Sequence, residues 1–323
     1  MATYVGGSHA EVSSSFYRRP PTTTTTSSTA SSVSANMGPT NTTMPTFSKA
    51  SEGLEDVQVW IFKTIENMQE VISSYDEELE EASPYLIFRP VTTKDLRKIE
   101  REREKGEIDE GVRLTHYVDW DILIVKVPTT KHEAAHRRFS TRFTFRAGLM
   151  GLIDELWDVG AATFKTRRMS KEGDSTFKPL SMRPRETDWP TIVIESGWSE
   201  SLKRLRRDAR IWLEESRGDV KIVLLISIGR RARAGTMTIE KWENGPAPSN
   251  RPSTRSNMTQ VPTLIQTITI DSNSNPTAVH GAPLILGFRE IFLRQAVPPL
   301  EQDFTFTAQD LSAYATNFWA GLK

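Results

Sequence analysis

The stretch WPTIVIESGWSESLKRLRRDARIWLEESRGDVKIVLLISI, Trp189 to Ile228, decides how this chain is read. Thr191–Ile194 is a strand-like run that ends on a lone carboxylate, Glu195, beside Ser196 and Gly197. A basic amphipathic helix follows, with Ser199 or Ser201 as its cap and Gly218 at its close. Leu202, Leu205, Ala209, Trp212 and Leu213 form its apolar stripe. The next run, VKIVLLISI, is nearly all apolar and reads as a strand covered on both faces. Glu195 therefore either caps the helix or faces a metal.

Working outward, STFKPLSM reads as the strand before Thr191, introduced by a KEGD turn, and ATFKTRRM as the strand before that. HYVDWDILIVKVP is a mostly buried strand stopped by Pro128. Pro128-Thr129-Thr130 then starts a long helix from about Lys131 to Trp157, with Phe139, Phe143, Leu149, Leu152 and Leu156 as core contacts. The order from that helix to Ile228 is αβββαβ. Downstream, TMTIEKWEN and TLIQTITI are two more strands around a Pro/Ser/Asn-rich loop, Pro246 to Pro262. APLILGFREIFLRQ and a helix boxed by Thr307 and Asp310 complete the chain. Upstream, Val57, Ile61, Ile65 and Met68 recur at helical spacing, and Thr92-Thr93 opens a charged helix. The class is α/β with a mixed sheet, which the flanking apolar stretches are expected to extend and cover.

Composition narrows the function classes. Lys+Arg and Asp+Glu both number 41 in 323 residues, so net charge favours no class of partner. The absence of cysteine excludes disulfides, thiolate zinc sites and cysteine nucleophiles. The N-terminus lacks the apolar core of a signal peptide, and no run reaches the roughly 18 apolar residues of a membrane helix. The expectation is a soluble intracellular protein, cytoplasmic or nuclear, without membrane association. Residues 1–53, dense in Ser and Thr, are expected to be a disordered arm, because they cannot bury enough apolar surface to offset their ordering entropy. Residues 54–323 are expected to form one domain.

Two constellations could carry chemistry. Asp174, in the KEGD turn, and Glu195 lie on adjacent strands that can bring them within a few Å, and such a pair suits Mg²⁺ or Mn²⁺. A metal held there can orient a water and neutralise charge on a phosphodiester. The rival is HEAAH, His132 to His136, which satisfies the HExxH zinc pattern with Glu155 at a plausible distance for a third ligand. Its context is poor: His132 falls in the first turn of a polar helix start, where Glu133 is favoured by the helix dipole. Lys203, Arg204, Arg206, Arg207 and Arg210 crowd one helix, and Arg230, Arg231 and Arg233 follow the next strand. That patch could contact phosphates, with Trp198 or Trp212 stacking on bases, or it could be a solvated face. No phosphate-cradling loop, dinucleotide fingerprint or nucleophile elbow is present.

With KEGDSTFKP, WPTIVIESGWSESLKRLRRDARIWL, GDVKIVLLISI and IEKWE in this order, the chain resembles the PD-(D/E)XK, or restriction-endonuclease-like, superfamily. It looks closest to a group of uncharacterised fungal proteins of that fold. The resemblance runs from about Asp121 to the C-terminus and is clearest from Lys171 to Trp242. It implies a nuclease of DNA or RNA, with Asp174 and Glu195 holding the metal and Glu133 completing the site. The superfamily's third-strand lysine falls on Gly197, so the cation that acts on the developing charge must come from elsewhere. Lys178, Lys203, Arg207 and Lys221 are the available replacements. Without one, the resemblance implies a catalytically inactive domain that binds nucleic acid or protein.

Overall fold

The computed structural model describes residues 50–76, 83–108, 111–198, 201–247 and 260–322. The Ser/Thr-rich arm lies outside the described residues as far as position 49. Residues 50–53, expected within it, are instead placed: Ala50 and Ser51 are buried. The elements run β1 (Val59–Ile61), α1 (Ile65–Asp76), β2 (Tyr85–Arg89), α2 (Thr93–Glu104), β3 (Arg113–Tyr117), β4 (Ile122–Lys126), α3 (Thr130–Leu149), β5 (Leu156–Asp158), β6 (Thr163–Lys165), β7 (Met169–Glu172) and β8 (Ser175–Pro179). They continue β9 (Ile192–Trp198), α4 (Leu202–Glu215), β10 (Ile222–Ile228), β11 (Thr236–Pro246), β12 (Gln260–Asp271), β13 (Ala278–His280), β14 (Leu284–Leu286), α5 (Phe288–Phe292), β15 (Phe304–Phe306) and α6 (Ala308–Ala320). Among the described residues no helix is long and apolar enough to cross a membrane.

The fold is mixed α/β, with strands gathered into two large sheets. One has the order β13-β12-β11-β10-β9-β8-β5. Within it β9 and β10 are parallel, while β5–β8, β8–β9 and β10–β11 are antiparallel. With α3 before β5 and α4 linking β9 to β10, this is the expected αβββαβ core. The second sheet has the order β1-β2-β4-β3-β7-β6.

Several sequence expectations are corrected. The long helix ends at Leu149, not near Trp157, and Leu156–Asp158 is the first core strand. Gly151, at φ +75°, turns the chain between them, a conformation that strains a residue bearing a Cβ. ATFKTRRM does not supply that strand: it divides between β6 and β7, which pair with each other at the edge of the second sheet. VDWDILIVKV likewise belongs to the second sheet through β4, not to the first. β11 and β12 do extend the first sheet, whereas APLILG pairs with Phe304–Phe306 as a separate two-stranded sheet. The helix expected across Val57–Met68 is a strand followed by a helix that begins at Ile65. Of the Pro246–Pro262 loop, 248–259 lie outside the described residues, and both ends are paired strand.

The layering explains what α4 can bury. One side of it packs Leu205, Ala209, Trp212 and Leu213 against Val193, Val223 and Leu225 of the first sheet. Its other side puts Ile211 among Tyr85, Ile87, Ile122 and Ile124 of the second. On the far face of the first sheet, Phe139, Phe143 and Ala147 of α3 pack with Leu311, Tyr314 and Phe318 of α6. A helix sandwiched between two sheets has little polar face left for water. Arg204 and Asp208 of α4 are accordingly buried, and they require partners inside the protein.

Candidate functional site

Strand alternation directs β9 in two directions. Ile192, Ile194 and Trp198 join the core under α3, while Val193 joins the core under α4, and Glu195 follows Val193. The β8–β9 register sets Ser175 opposite Ile194, which brings Asp174 to the backbone of Ser196. Asp174 Oδ2 accepts from the Ser196 N–H at 2.7 Å. The two expected acids do converge, and Lys126 of β4 lies between them. Its Nζ donates to Asp174 Oδ2 at 2.7 Å and to the Ser196 carbonyl at 2.8 Å, and lies 3.7 Å from Glu195 Oε2.

The cluster continues through Lys171 of β7, whose Nζ is 3.3 Å from Glu195 Oε1 and 3.2 Å from Asp208 Oδ1. Arg204 Nη2 sits 3.1 Å from that same Asp208 oxygen, and its Nη1 donates to the Ala50 carbonyl at 2.8 Å. Trp212 Nε1 donates to Glu195 Oε1 at 2.7 Å. Arg113 of β3 spans from Asp174 Oδ1, 3.9 Å from its Nε, to Glu133 Oε1, 2.9 Å from its Nη2. Asp174, Glu195 and Asp208 thus face Lys126, Lys171 and Arg204, three acids against three bases. Such compensation is required, since an unpaired buried ion costs several kcal/mol.

The titration of these groups follows. Burial opposes the Lys126 and Lys171 ammonium charges, but the surrounding carboxylates outweigh it and hold both pKa values above the usual lysine range. Burial also works against Asp174, yet Lys126, His136 and Arg113 hold its carboxyl well below the usual range. At Glu195 burial wins over Lys171 and Lys126, and its pKa is raised.

The residues present do not fit Mg²⁺ or Mn²⁺. Mg²⁺ needs about six oxygens near 2.0–2.1 Å and keeps several waters. Here an ammonium is wedged between the two carboxylates, Asp174 Oδ2 also accepts from Ser196, and Glu195 Oε1 is taken by Trp212. The Asp174 and Glu195 side chains are 1% and 2% exposed, which leaves no approach for a phosphodiester. Among the described residues no group of three or more His, Asp or Glu has a metal-holding arrangement.

Gly197, the position of the superfamily lysine, has a physical explanation. A Cβ there would lie 2.8 Å from Ser201 Oγ and 3.1 Å from Leu205 Cδ1, so a side chain at 197 would have to displace both. The expected replacements are elsewhere. Lys178 is buried and donates to the carbonyls of Arg185, Glu186 and Asp188. Lys221 precedes β10, four residues before Leu225, the partner of Glu195, a separation of about 13 Å along the strand. Lys203 is at the surface, paired with Glu55. The cations that do meet the acids are Lys126 and Lys171. A lysine inside the apolar run ILIVKV was the signal for the first.

Nor does Glu195 cap α4, and Ser201 makes no side-chain cap either: its hydroxyl donates to the Trp198 carbonyl. Ser199 lies outside the described residues. Glu133 reaches the edge of the cluster, held by Arg113 and by Arg137, whose Nε is 2.7 Å away. The HEAAH zinc set does not assemble. His132 Nδ1 accepts from the Thr129 N–H as part of a capping box, His136 Nδ1 faces Ser175, and Glu155 is tied to Arg294 and Ser181.

The basic patch is largely consumed internally. Arg204 is in the buried cluster, and Lys203, Arg207 and Arg210 hold Glu55 and Glu52 of the segment before β1. Arg206 grips Glu240 of β11 through Nε at 3.0 and 3.1 Å. Trp212 is core, and Arg230 lies over the Trp198 ring at 5.3 Å. The side chain of Arg231 lies outside the described residues. Arg206→Ala is therefore expected to destabilise by about 2 kcal/mol, since Glu240 is 1% exposed and keeps only the Trp242 N–H as a side-chain donor. Urea melts measure it, and a weakened affinity for DNA with unchanged stability would contradict this assignment.

No protein-family model matches the chain, and no curated protein matches it either. Among solved structures, the chain is similar to one described as a candidate nuclease belonging to DUF820 from Anabaena variabilis. The match covers 66% of this chain and 97% of that one, at 14% identity and a TM-score of 0.35.

Proposed function

We propose that this is a restriction-endonuclease-like domain whose metal site is closed, and that it works by binding rather than by cleaving phosphodiesters. The observation that carries this reading is the Lys126 ammonium between Asp174 and Glu195, buried under the second sheet. It neutralises the acid pair as a metal would, but it cannot activate a water. The internal pairing of Lys203, Arg206, Arg207 and Arg210 favours a protein partner over a nucleic acid.

A second reading, a Mg²⁺- or Mn²⁺-dependent nuclease of DNA or RNA, has one point in its favour. Two carboxylates at the superfamily's positions converge with a lysine beside them. One experiment separates the two. Purified protein is incubated with plasmid, single-stranded DNA and RNA in Mg²⁺ or Mn²⁺, and its melting temperature is read with and without Mn²⁺. The expected outcome is no cleavage and no metal-dependent shift. Cleavage that disappears in Asp174→Ala, or a Mn²⁺ shift lost in Asp174→Ala/Glu195→Ala, would establish the nuclease instead.

A further inference from the structure

A second cluster lies on the α3 side of β8, joined to the closed acid pair through Arg113. Ser175 Oγ is 2.8 Å from His136 Nδ1, and His136 Nε2 is 3.4 Å from Glu133 Oε1. Arg113 and Arg137 fix that carboxylate at 2.9 and 2.7 Å. Ser175 lines an open cavity of about 670 Å³ between α3 and the β5 edge, within the size range of small-ligand sites. Phe145, Leu149 and Ile153 form its apolar wall, 63%, 63% and 48% exposed.

The wall also contains Ser140, 7% exposed, whose Oγ has no hydrogen-bond partner. Buried hydroxyls are normally satisfied, so one left open in a cavity wall is a donor for a ligand oxygen. Nucleophile and free donor line the cavity, and the buried base and its carboxylate stand behind Ser175; together they are the set that acyl transfer requires. We propose that this cavity is an acyl-transfer site for a neutral carboxylic ester with an apolar substituent. Ser175 is the nucleophile, His136 the base and Ser140 a donor to the carbonyl oxygen.

Ser175 Oγ bonds to the ester carbonyl carbon while its proton passes to His136 Nδ1. Collapse of the tetrahedral adduct breaks the bond to the alcohol, which leaves with that proton, and the acyl group stays on Ser175. A water then attacks the acyl carbon, giving its proton to the same nitrogen, which returns it to Ser175 as the acid departs. Glu133 is a positioning residue: it faces Nε2 and favours the tautomer that leaves Nδ1 open as acceptor. Asp158 and Arg137 both line the same cavity, so the wall carries one charge of each sign and suits a neutral substrate.

The test uses the full chain with an alkyl fluorophosphonate probe, peptide mapping by mass spectrometry, and turnover of p-nitrophenyl butyrate. The expected label is on Ser175 and is lost in Ser175→Ala, whose folded state is checked by circular dichroism because His136 Nδ1 loses its hydroxyl partner. His136→Gln should label about 100-fold more slowly. Glu133→Gln should lower kcat by about tenfold with KM unchanged, a split that mere structural loosening would not give. Phe145→Arg, at an exposed position that folding tolerates, should raise KM, and it decides the matter if His136→Gln fails to fold. A folded wild type that takes no label, label on another residue, or ester turnover retained by Ser175→Ala overturns the proposal.

Discussion

Lys126→Met is expected to cost about 3–5 kcal/mol of folding stability, the usual penalty for breaking a buried ion pair by removing one partner. Methionine matches the lysine stem but leaves Asp174 and Glu195 facing each other in a site that is 1–2% exposed on the acid side chains. Adding Asp174→Asn removes one of the stranded charges, and the double variant should recover a large share of the loss. Denaturant unfolding of the single and double variants measures both. A loss below 1 kcal/mol for Lys126→Met would show that the network does not hold the two sheets together. Lys126→Ala provides a sharper readout, because it opens space between the carboxylates. There Mn²⁺ is expected to raise the melting temperature, where in the wild type it does nothing. A Mn²⁺ shift of equal size in both proteins would remove Lys126 from the role given to it.

Acidification is expected to destabilise the protein well before the carboxylates as a class protonate. Burial, with Lys126 and Arg230 nearby, lowers the His132 pKa from 6.5 to about 3. Between those values the unfolded chain binds a proton that the folded one refuses. The stabilising contribution is therefore complete above about pH 6.5 and shrinks as pH falls toward 3. At about 1.36 kcal/mol per pH unit the loss approaches about 3–5 kcal/mol by pH 3. Glu133 adds a second, lower window. Burial alone would raise it, but His136, Arg113 and Arg137 hold it at about 2, below the usual 4.5. Its contribution is complete above 4.5 and fades as pH drops toward 2. Urea unfolding at pH 7.5, 6, 5 and 4 tests this, and His132→Gln should flatten the upper part of the curve. Equal stability at pH 7.5 and 4.5 in the wild type would refute the assignment.

The local sequence carried the αβββαβ order, because its signals are short-range. TIVIES and VKIVLLISI are apolar runs of strand length, and the helix between them has a stripe of period 3.6. Asp174 and Glu195 could be placed together from strand pairing alone, and they are together. The first core strand was misread because ATFKTRRM has strand character but does not name its partner. Thr163–Lys165 pairs locally with Glu172, Lys171 and Ser170, and the docking of that hairpin on β3 instead of β8 is a long-range choice made by the second sheet.

The meaning of the acid pair was decided by that second sheet. Lys126, Lys171 and Arg113 lie 48, 3 and 61 residues before Asp174, on three different strands, so no spacing rule could have gathered them. The same covering sheet explains α4, whose Arg204 and Asp208 look solvent-facing beside one apolar stripe and are buried because a second layer lies over them. The sequence by itself determined the core order and the positions of its two carboxylates, through backbone periodicity and turn chemistry. Only the tertiary structure decided that these carboxylates are buried and meet lysines. A charge's partner and its exposure depend on whatever long-range packing places over it.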